Sequence, residues 1–277
     1  MSDIALVARE FRYERRAFLR DPQGMFFAAG LPLLYVVIFV SLFGNQRIEF
    51  VYNGQPGPLK AHTIMLANFI AIGVVSAAFY NLTVSLVQQR ESGVLKRFRG
   101  TPLPTWAYIA GRVGTSMILG VSVAGALLAL GRGAYGIPVP LAGLPALLLT
   151  LLVASSAFCC LAFAFTLAVR KASAAVPLGN GVTLALYFLS GSFFVIEHPP
   201  LVVRVIGDLF PVKHLNNALL TALNPNATGT RIEWMELAVI AAWGIGGLII
   251  SLRSFRWTAS EAHAKRGTES VSIPRVA

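Results

Sequence analysis

The sequence predicts an all-α membrane protein with six transmembrane helices, an interfacial helix before the first and re-entrant helices before the last. Three observations lead there. Of 277 residues, 56% are hydrophobic and 13% charged, roughly half the charge of a soluble domain, and mean hydropathy is +0.68. Six apolar runs come near or exceed the ~20 residues a helix needs to cross a bilayer. Basic residues divide unevenly between the segments joining those runs.

Residues 1–24 open the chain. Ile4, Val7, Phe11 and Phe18 recur on one helical face and Arg9, Arg12, Arg16 and Arg20 on another, with Arg15 interrupting the apolar side. This spacing predicts an amphipathic helix lying in the membrane interface with its bases near anionic headgroups. "RDPQG" then breaks the helix. The first apolar run follows a segment too long and too mixed in sign for a signal peptide, so it reads as a permanent span.

The spans are expected at residues 25–43, 62–87, 113–131, 141–169, 174–194 and 234–252, making 25–253 one six-span transmembrane unit and 254–277 a polar tail. Seventeen Lys and Arg residues fall on the side of the N-terminus. Six fall on the other: Arg47, Lys60, Arg132, Arg204, Lys213 and Arg231. The positive-inside rule then places both termini in the cytoplasm of a multi-pass protein in the cell membrane. Residues 195–230 are apolar in pieces too short to span and are interrupted by prolines, which fits a re-entrant or interfacial helix pair on the outer face. The same rule accounts for the net charge of +11 without nucleic acid.

Several function classes are disfavoured. Of twelve acids only Glu236 falls within an expected span, in its outermost turn, so no mid-membrane carboxylate is placed to drive proton coupling. No Cys/His cluster has metal-ligand spacing; Cys159 and Cys160 read as small packing residues. No G-x-x-x-x-G-K-[ST] loop or G-x-S-x-G elbow occurs. A transporter of this kind would need energy from elsewhere.

The polar stretch "QQRESGVLKRFRGTPLP", residues 88–104, joins the second and third spans on the cytoplasmic side. Val94, Leu95 and Phe98 form a small apolar cluster ringed by Glu91, Lys96, Arg97 and Arg99, and Pro102 and Pro104 stop any helix near residue 100. A short charged helix with an apolar knob suits docking into a groove on a soluble partner; a solvated loop whose bases only set topology is the alternative.

"RESGVLKRFRGTPLPTWAYIAGR" resembles the corresponding loop of type 2 export permeases of ATP-binding-cassette (ABC) transporters, in the residues Glu91, Gly93, Leu95, Thr101 and Pro102. The N-terminal helix with "RDP" is similar to that family's elbow helix, "LSGSFFVIEHPP" to the outer end of its fifth span and "FPVKHLNNAL" to the segment before its last span. Val195 departs from the family's Pro-x-x-x-Pro pattern, whose second proline is Pro199. The resemblance implies a coupling helix at about 90–100 that docks on an ATPase through Glu91, Gly93, Val94, Leu95, Phe98 and Arg99. It also implies two cytoplasmic ABC ATPase subunits, which hold ATP and Mg while this chain holds no cofactor, and a second permease copy or relative. Export of a lipophilic drug, lipid or lipid-linked substrate is the implied activity. The alternatives are a membrane-embedded lipid-modifying enzyme, with Glu197, His198, Asp208 and His214 as its only local cluster, and an ATP-independent carrier or channel.

A candidate substrate path comes from two stripes. Asn180, Thr183, Tyr187, Ser190 and Phe194 share one face of the fifth span, and Asn68, Phe79 and Thr83 share one of the second. Either stripe can line a path or act as polar glue between helices. Glu197 and His198 are expected near an outer gate, with loop salt bridges as the alternative reading. Gly120, Ala124, Gly244 and Gly247 are expected at close helix contacts.

Overall fold

The computed structural model describes residues 22–48, 58–94, 105–169, 171–193 and 201–254. The expected elbow helix before residue 22, the coupling residues Leu95, Phe98 and Arg99, Phe194, the gate residues Glu197 and His198, and the tail beyond 254 lie outside these residues.

The architecture is helical, as predicted. α1 covers residues 22–43, with π-helical turns at Phe26–Gly30 and Val36–Val40. A two-stranded antiparallel hairpin follows, β1 Arg47–Ile48 pairing with β2 Leu59–Lys60. α2 is Ala61–Glu91, interrupted by a π-helical turn at Ser76–Tyr80. α3 is Thr105–Tyr135, α4 Leu144–Thr166 and α5 Ala172–Leu189. Two shorter helices, α6 Leu201–Leu209 and α7 Pro211–Leu223, precede α8 Trp234–Ser254. Among the described residues five helices are long and apolar enough to cross a membrane, and the first apolar helix, Ala28–Phe43, is shorter.

α2 is the central element. In its most apolar stretch 83% of residues are buried, against 22% for α5 and 28% for α8. Phe69, Ile64, Leu66, Ile70 and Ile72 of α2 are fully enclosed by side chains of α1, α3, α4 and α7. α4 and α8 pack most closely. A Cβ on Gly244 would stand 2.7 Å from the Ala157 Cα, and one on Gly247 2.9 Å from the Cys160 carbonyl carbon. The expectation of small-residue contacts holds here, because backbone approach replaces the hydrophobic drive that lipid removes. Cys159 and Cys160 are buried in this packing and are not joined in a disulfide.

Several helix boundaries differ from the sequence reading; α1, for one, starts at Pro22, within the expected "RDPQG" break. α2 continues past Val87 to Glu91, because Gln89, Arg90 and Glu91 all find partners on neighbouring helices. α3 begins near 105 rather than 113, because the Arg112 charge is buried against Tyr108 and Gln89 instead of ending the helix. α5 stops at Leu189, five residues short of the expected end. Gly191 adopts φ +72°, its N–H donates to the Phe188 carbonyl at 3.2 Å and Ser192 N–H to that of Tyr187 at 3.0 Å. This is the paired bonding of a left-handed glycine cap.

α6 is amphipathic and carries an exposed apolar face of Leu201, Val202, Val205 and Leu209. α7 starts at Pro211, whose missing N–H costs nothing in a first turn. Most of α7 is buried against α2, α4 and α8. α2 and α4 begin, and α3 ends, at the same end of the bundle as α6 and α7; residues 88–94 and 167–172 lie at the opposite end.

Candidate functional site

At the end of α2 three consecutive residues reach three different helices, since neighbours on a helix point about 100° apart. Gln89 faces α3. Its Oε1 accepts from Arg112 Nη2 at 2.8 Å and from the Tyr108 hydroxyl at 3.4 Å. Arg112 also donates to that hydroxyl at 3.1 Å, with its guanidinium 5.4 Å from the Tyr108 ring centroid. Gln89 Nε2 donates back to Ser85 Oγ at 3.0 Å, fixing the amide's orientation.

Arg90 faces the C-terminus of α4. Nη1 donates to the Thr166 carbonyl at 3.0 Å and Nη2 to the Val169 carbonyl. Glu91 faces the N-terminus of α5, where its carboxylate accepts the Ala172 backbone N–H. Lys171, the residue that precedes this helix, supplies no side-chain cap of its own. A cation therefore sits on the carbonyl end of α4 and an anion on the amide end of α5. Both signs match the helix dipoles, and both satisfy backbone groups a helix leaves orphaned. The turn between α4 and α5 is held at both ends by adjacent residues of α2.

Ser92 and Gly93 then end α2. Gly93 has φ +75° and its N–H reaches the Arg90 carbonyl at 3.4 Å; a side chain there has open space but a strained backbone. Val94 is half-buried. Of the expected coupling residues, Glu91 is thus bonded to the start of α5 while remaining exposed, and Gly93 sets the exit angle of the chain.

The two polar stripes meet each other. The Tyr187 hydroxyl donates to the Ile72 carbonyl at 3.2 Å and accepts from Ser76 Oγ at 3.0 Å. It enters α2 at its π-helical turn, a type of irregularity often found at functional sites. Asn68 Nδ2 reaches the Gly191 carbonyl at 3.4 Å. Thr183 Oγ1 donates within its own helix, to the Gly179 and Asn180 carbonyls, and Ser190 Oγ bonds the Tyr187 carbonyl and Ser192. Phe79 packs on Phe165 with ring centroids 5.4 Å apart. Thr83 is fully buried; its hydroxyl and Asn68 Oδ1 have no hydrogen-bond partner among the described residues. Asn180 is the exposed member, on a face of α5 that also presents Leu184 and Phe188.

At the far end His214 joins three helices. Nδ1 bonds the Glu236 carboxylate, and Nε2 lies 2.8 Å from the Asp208 carbonyl. Both ring nitrogens face acceptors, so the doubly protonated ring satisfies both. The hydrogen bond to Glu236 is the main cause that raises the His214 pKa, with burial opposing it. Glu236 also accepts from Asn217 at 2.9 Å, and Asp208 pairs with Lys213 at 2.5 Å. His214 and Asp208, two of the four residues of the lipid-enzyme alternative, meet only through a backbone carbonyl. No group of three potential metal ligands occurs among the described residues. A separate 670 Å³ cavity between α3, α4 and α8, lined by Trp106, Ile109, Met117, Cys160 and Ile245, is almost wholly apolar.

Sequence reasoning missed Gln89, Arg90, Tyr108 and Arg112 as a connected set. The signal was present in three adjacent polar residues closing an apolar helix, but their partners lie 19 to 81 positions away.

The family model described as ABC-2 type transporter matches residues 4–224, most of the chain. No curated protein matches it.

Proposed function

The chain belongs to the ABC-2 type transporter family and is a membrane-embedded permease subunit of an ABC transporter, a transport rather than a catalytic component; from that premise we propose that it is the conduit of an ATP-driven exporter. It works with two cytoplasmic ATPase subunits, which carry ATP and Mg, and with a second permease copy. It sits in the cell membrane with both termini in the cytoplasm. The substrate is a lipophilic drug, a lipid or a lipid-linked molecule.

The observation that carries this reading is the arrangement of Gln89, Arg90 and Glu91 on α3, α4 and α5, immediately before the polar segment at residues 92–104. An ATPase pressing on Leu95, Phe98 and Arg99 would displace the end of α2. That displacement passes to three neighbouring helices at once, through bonds that are directional and charge-assisted. ATP binding then shifts a pre-existing balance between inward- and outward-open states by its differential grip on the two. The exposed face of α5 with Asn180, Leu184 and Phe188 lies toward the path and the second copy. Glu197 and His198 belong to its outer gate.

The test is reconstitution with the companion ATPase. Copurification of an ATPase with the full chain, together with ATP-dependent dye or lipid efflux from inside-out vesicles, is the expected result. Leu95→Asp places a charge in the apolar knob and is expected to lower substrate-stimulated ATP hydrolysis at least tenfold while leaving the permease folded. Unchanged stimulation in Leu95→Asp refutes docking through this segment. Transport that persists in vesicles lacking any ATPase refutes ATP drive.

A further inference from the structure

At the end of the bundle opposite Gln89–Glu91 lies a second polar cleft, of 580 Å³, between the β hairpin, the start of α2, the α3–α4 connection and the segment after α7. Among the described residues Arg47, Lys60, His62, Thr63 and Asn226 are its polar lining, and no carboxylate is. Its charge is arranged against itself. Arg47 and Lys60 are directly paired across the two strands, and like charges placed opposite each other destabilise a hairpin. Among the described residues neither the Arg47 guanidinium nor the Lys60 ammonium has a hydrogen bond or ion pair. The described acids at this end are committed elsewhere: Asp208 to Lys213, Glu233 to Thr221, Glu236 to His214 and Asn217.

The repulsive pair is nevertheless held in place. Ala61 N–H donates to the Gln46 carbonyl at 2.8 Å and His62 N–H to the Gly44 carbonyl at 3.2 Å, tying the hairpin to the first turn of α2. Asn226 Nδ2 donates to the Pro58 carbonyl at 3.2 Å and ties the same hairpin to the segment after α7. His62 and Thr63, hydrogen-bonded to each other at 3.1 Å, are its buried lining. The backbone that carries the two cations is thus fixed, while their side chains are exposed; two cations presented side by side beside a cavity are what an anion site needs. The cleft opens at the first residues of a helix long enough to span the membrane, which is the depth of lipid headgroups. The anionic group found at that depth is phosphate, and a guanidinium fork matches its geometry.

We propose that Arg47 and Lys60 bind the phosphate of an anionic headgroup in this cleft, with the Thr63 and Asn226 side chains beside it. The site belongs to this chain alone and needs no ATPase, so its test is independent of the export reading. Full-length chain in detergent is titrated with short-chain phosphatidylglycerol, short-chain phosphatidylcholine, glycerol phosphate and inorganic phosphate. Phosphatidylglycerol is expected to bind at least tenfold tighter than phosphatidylcholine. Arg47→Gln and Lys60→Gln each weaken it about tenfold, the loss of one charge-assisted hydrogen bond, while Lys60→Arg restores most of the affinity. If glycerol phosphate or inorganic phosphate binds as tightly as the lipid, the site takes the free anion; if only the lipid binds, it takes the headgroup in its membrane. Arg204→Gln removes an exposed base from α6 and is expected to change nothing. Equal binding of both lipids by the wild type with neither phosphate anion bound, wild-type affinity in the two Gln variants, or an equal loss in Arg204→Gln overturns the proposal.

Discussion

Replacing Glu91 by Ala removes the side-chain acceptor on the first amide of α5, the only one among the described residues, since Lys171 provides none. Losing a capping acceptor costs about 1 kcal/mol in comparable helices, and an anion at a helix N-terminus adds ~0.3–1 kcal/mol when exposed. Glu91 is itself exposed, so solvent screens the charge contribution and the loss stays near the capping value, about 1 kcal/mol. That corresponds to an approximately fivefold rise in local opening of the first turn of α5. Hydrogen exchange on the detergent-solubilised chain reads it directly. Amides of Ala172, Ser173 and Ala174 are expected to exchange about five times faster in Glu91→Ala, with Glu91→Gln intermediate because an acceptor remains without its charge. Amides in the first turns of α4, at the other end of the bundle, stay unchanged. Unaltered exchange at 172–174, or an equal acceleration at both ends, refutes the view that Glu91 acts by holding the start of α5.

Two further outcomes follow from other parts of the bundle. Tyr187→Phe removes the hydroxyl that enters the π-helical turn of α2 and leaves the Ile72 carbonyl and Ser76 without it; interhelical hydrogen bonds in membranes average ~0.6 kcal/mol with a maximum near 1.7, so a loss of about 1 kcal/mol in denaturant titration is expected, and no loss rejects the bond. The His214 pKa is raised above its ordinary 6.5 by Glu236, so its stabilising contribution is complete below 6.5 and disappears as pH climbs through the higher native value; thermal stability of the wild type should fall across that window, and His214→Gln should flatten the fall.

Much of this architecture could be read in one dimension. Apolar runs predicted the helices because the hydrocarbon core admits few other backbones. The family appeared through Glu91, Gly93, Leu95, Thr101 and Pro102, residues whose spacing survives without any knowledge of neighbours. Boundaries slipped where a charge stayed inside: Arg112 looked like the edge of a span and is instead buried within one, beside Tyr108. The polar stripes of α2 and α5 were legible as stripes. That Thr183, Tyr187 and Ser190 are buried while Asn180, bonded to Tyr80, stays exposed was not, because helical periodicity fixes relative directions on a helix and leaves its rotation free.

By itself the sequence determined the class of the molecule, its helices and its place among ABC permeases, since hydropathy, helix length and short motifs are local properties. Only the tertiary structure decided that Gln89, Arg90 and Glu91 hold α3, α4 and α5, and that Arg47 stands opposite Lys60. Both depend on which surfaces meet across tens of residues, and the free energy that selects those meetings resides in packing between helices rather than in any one of them.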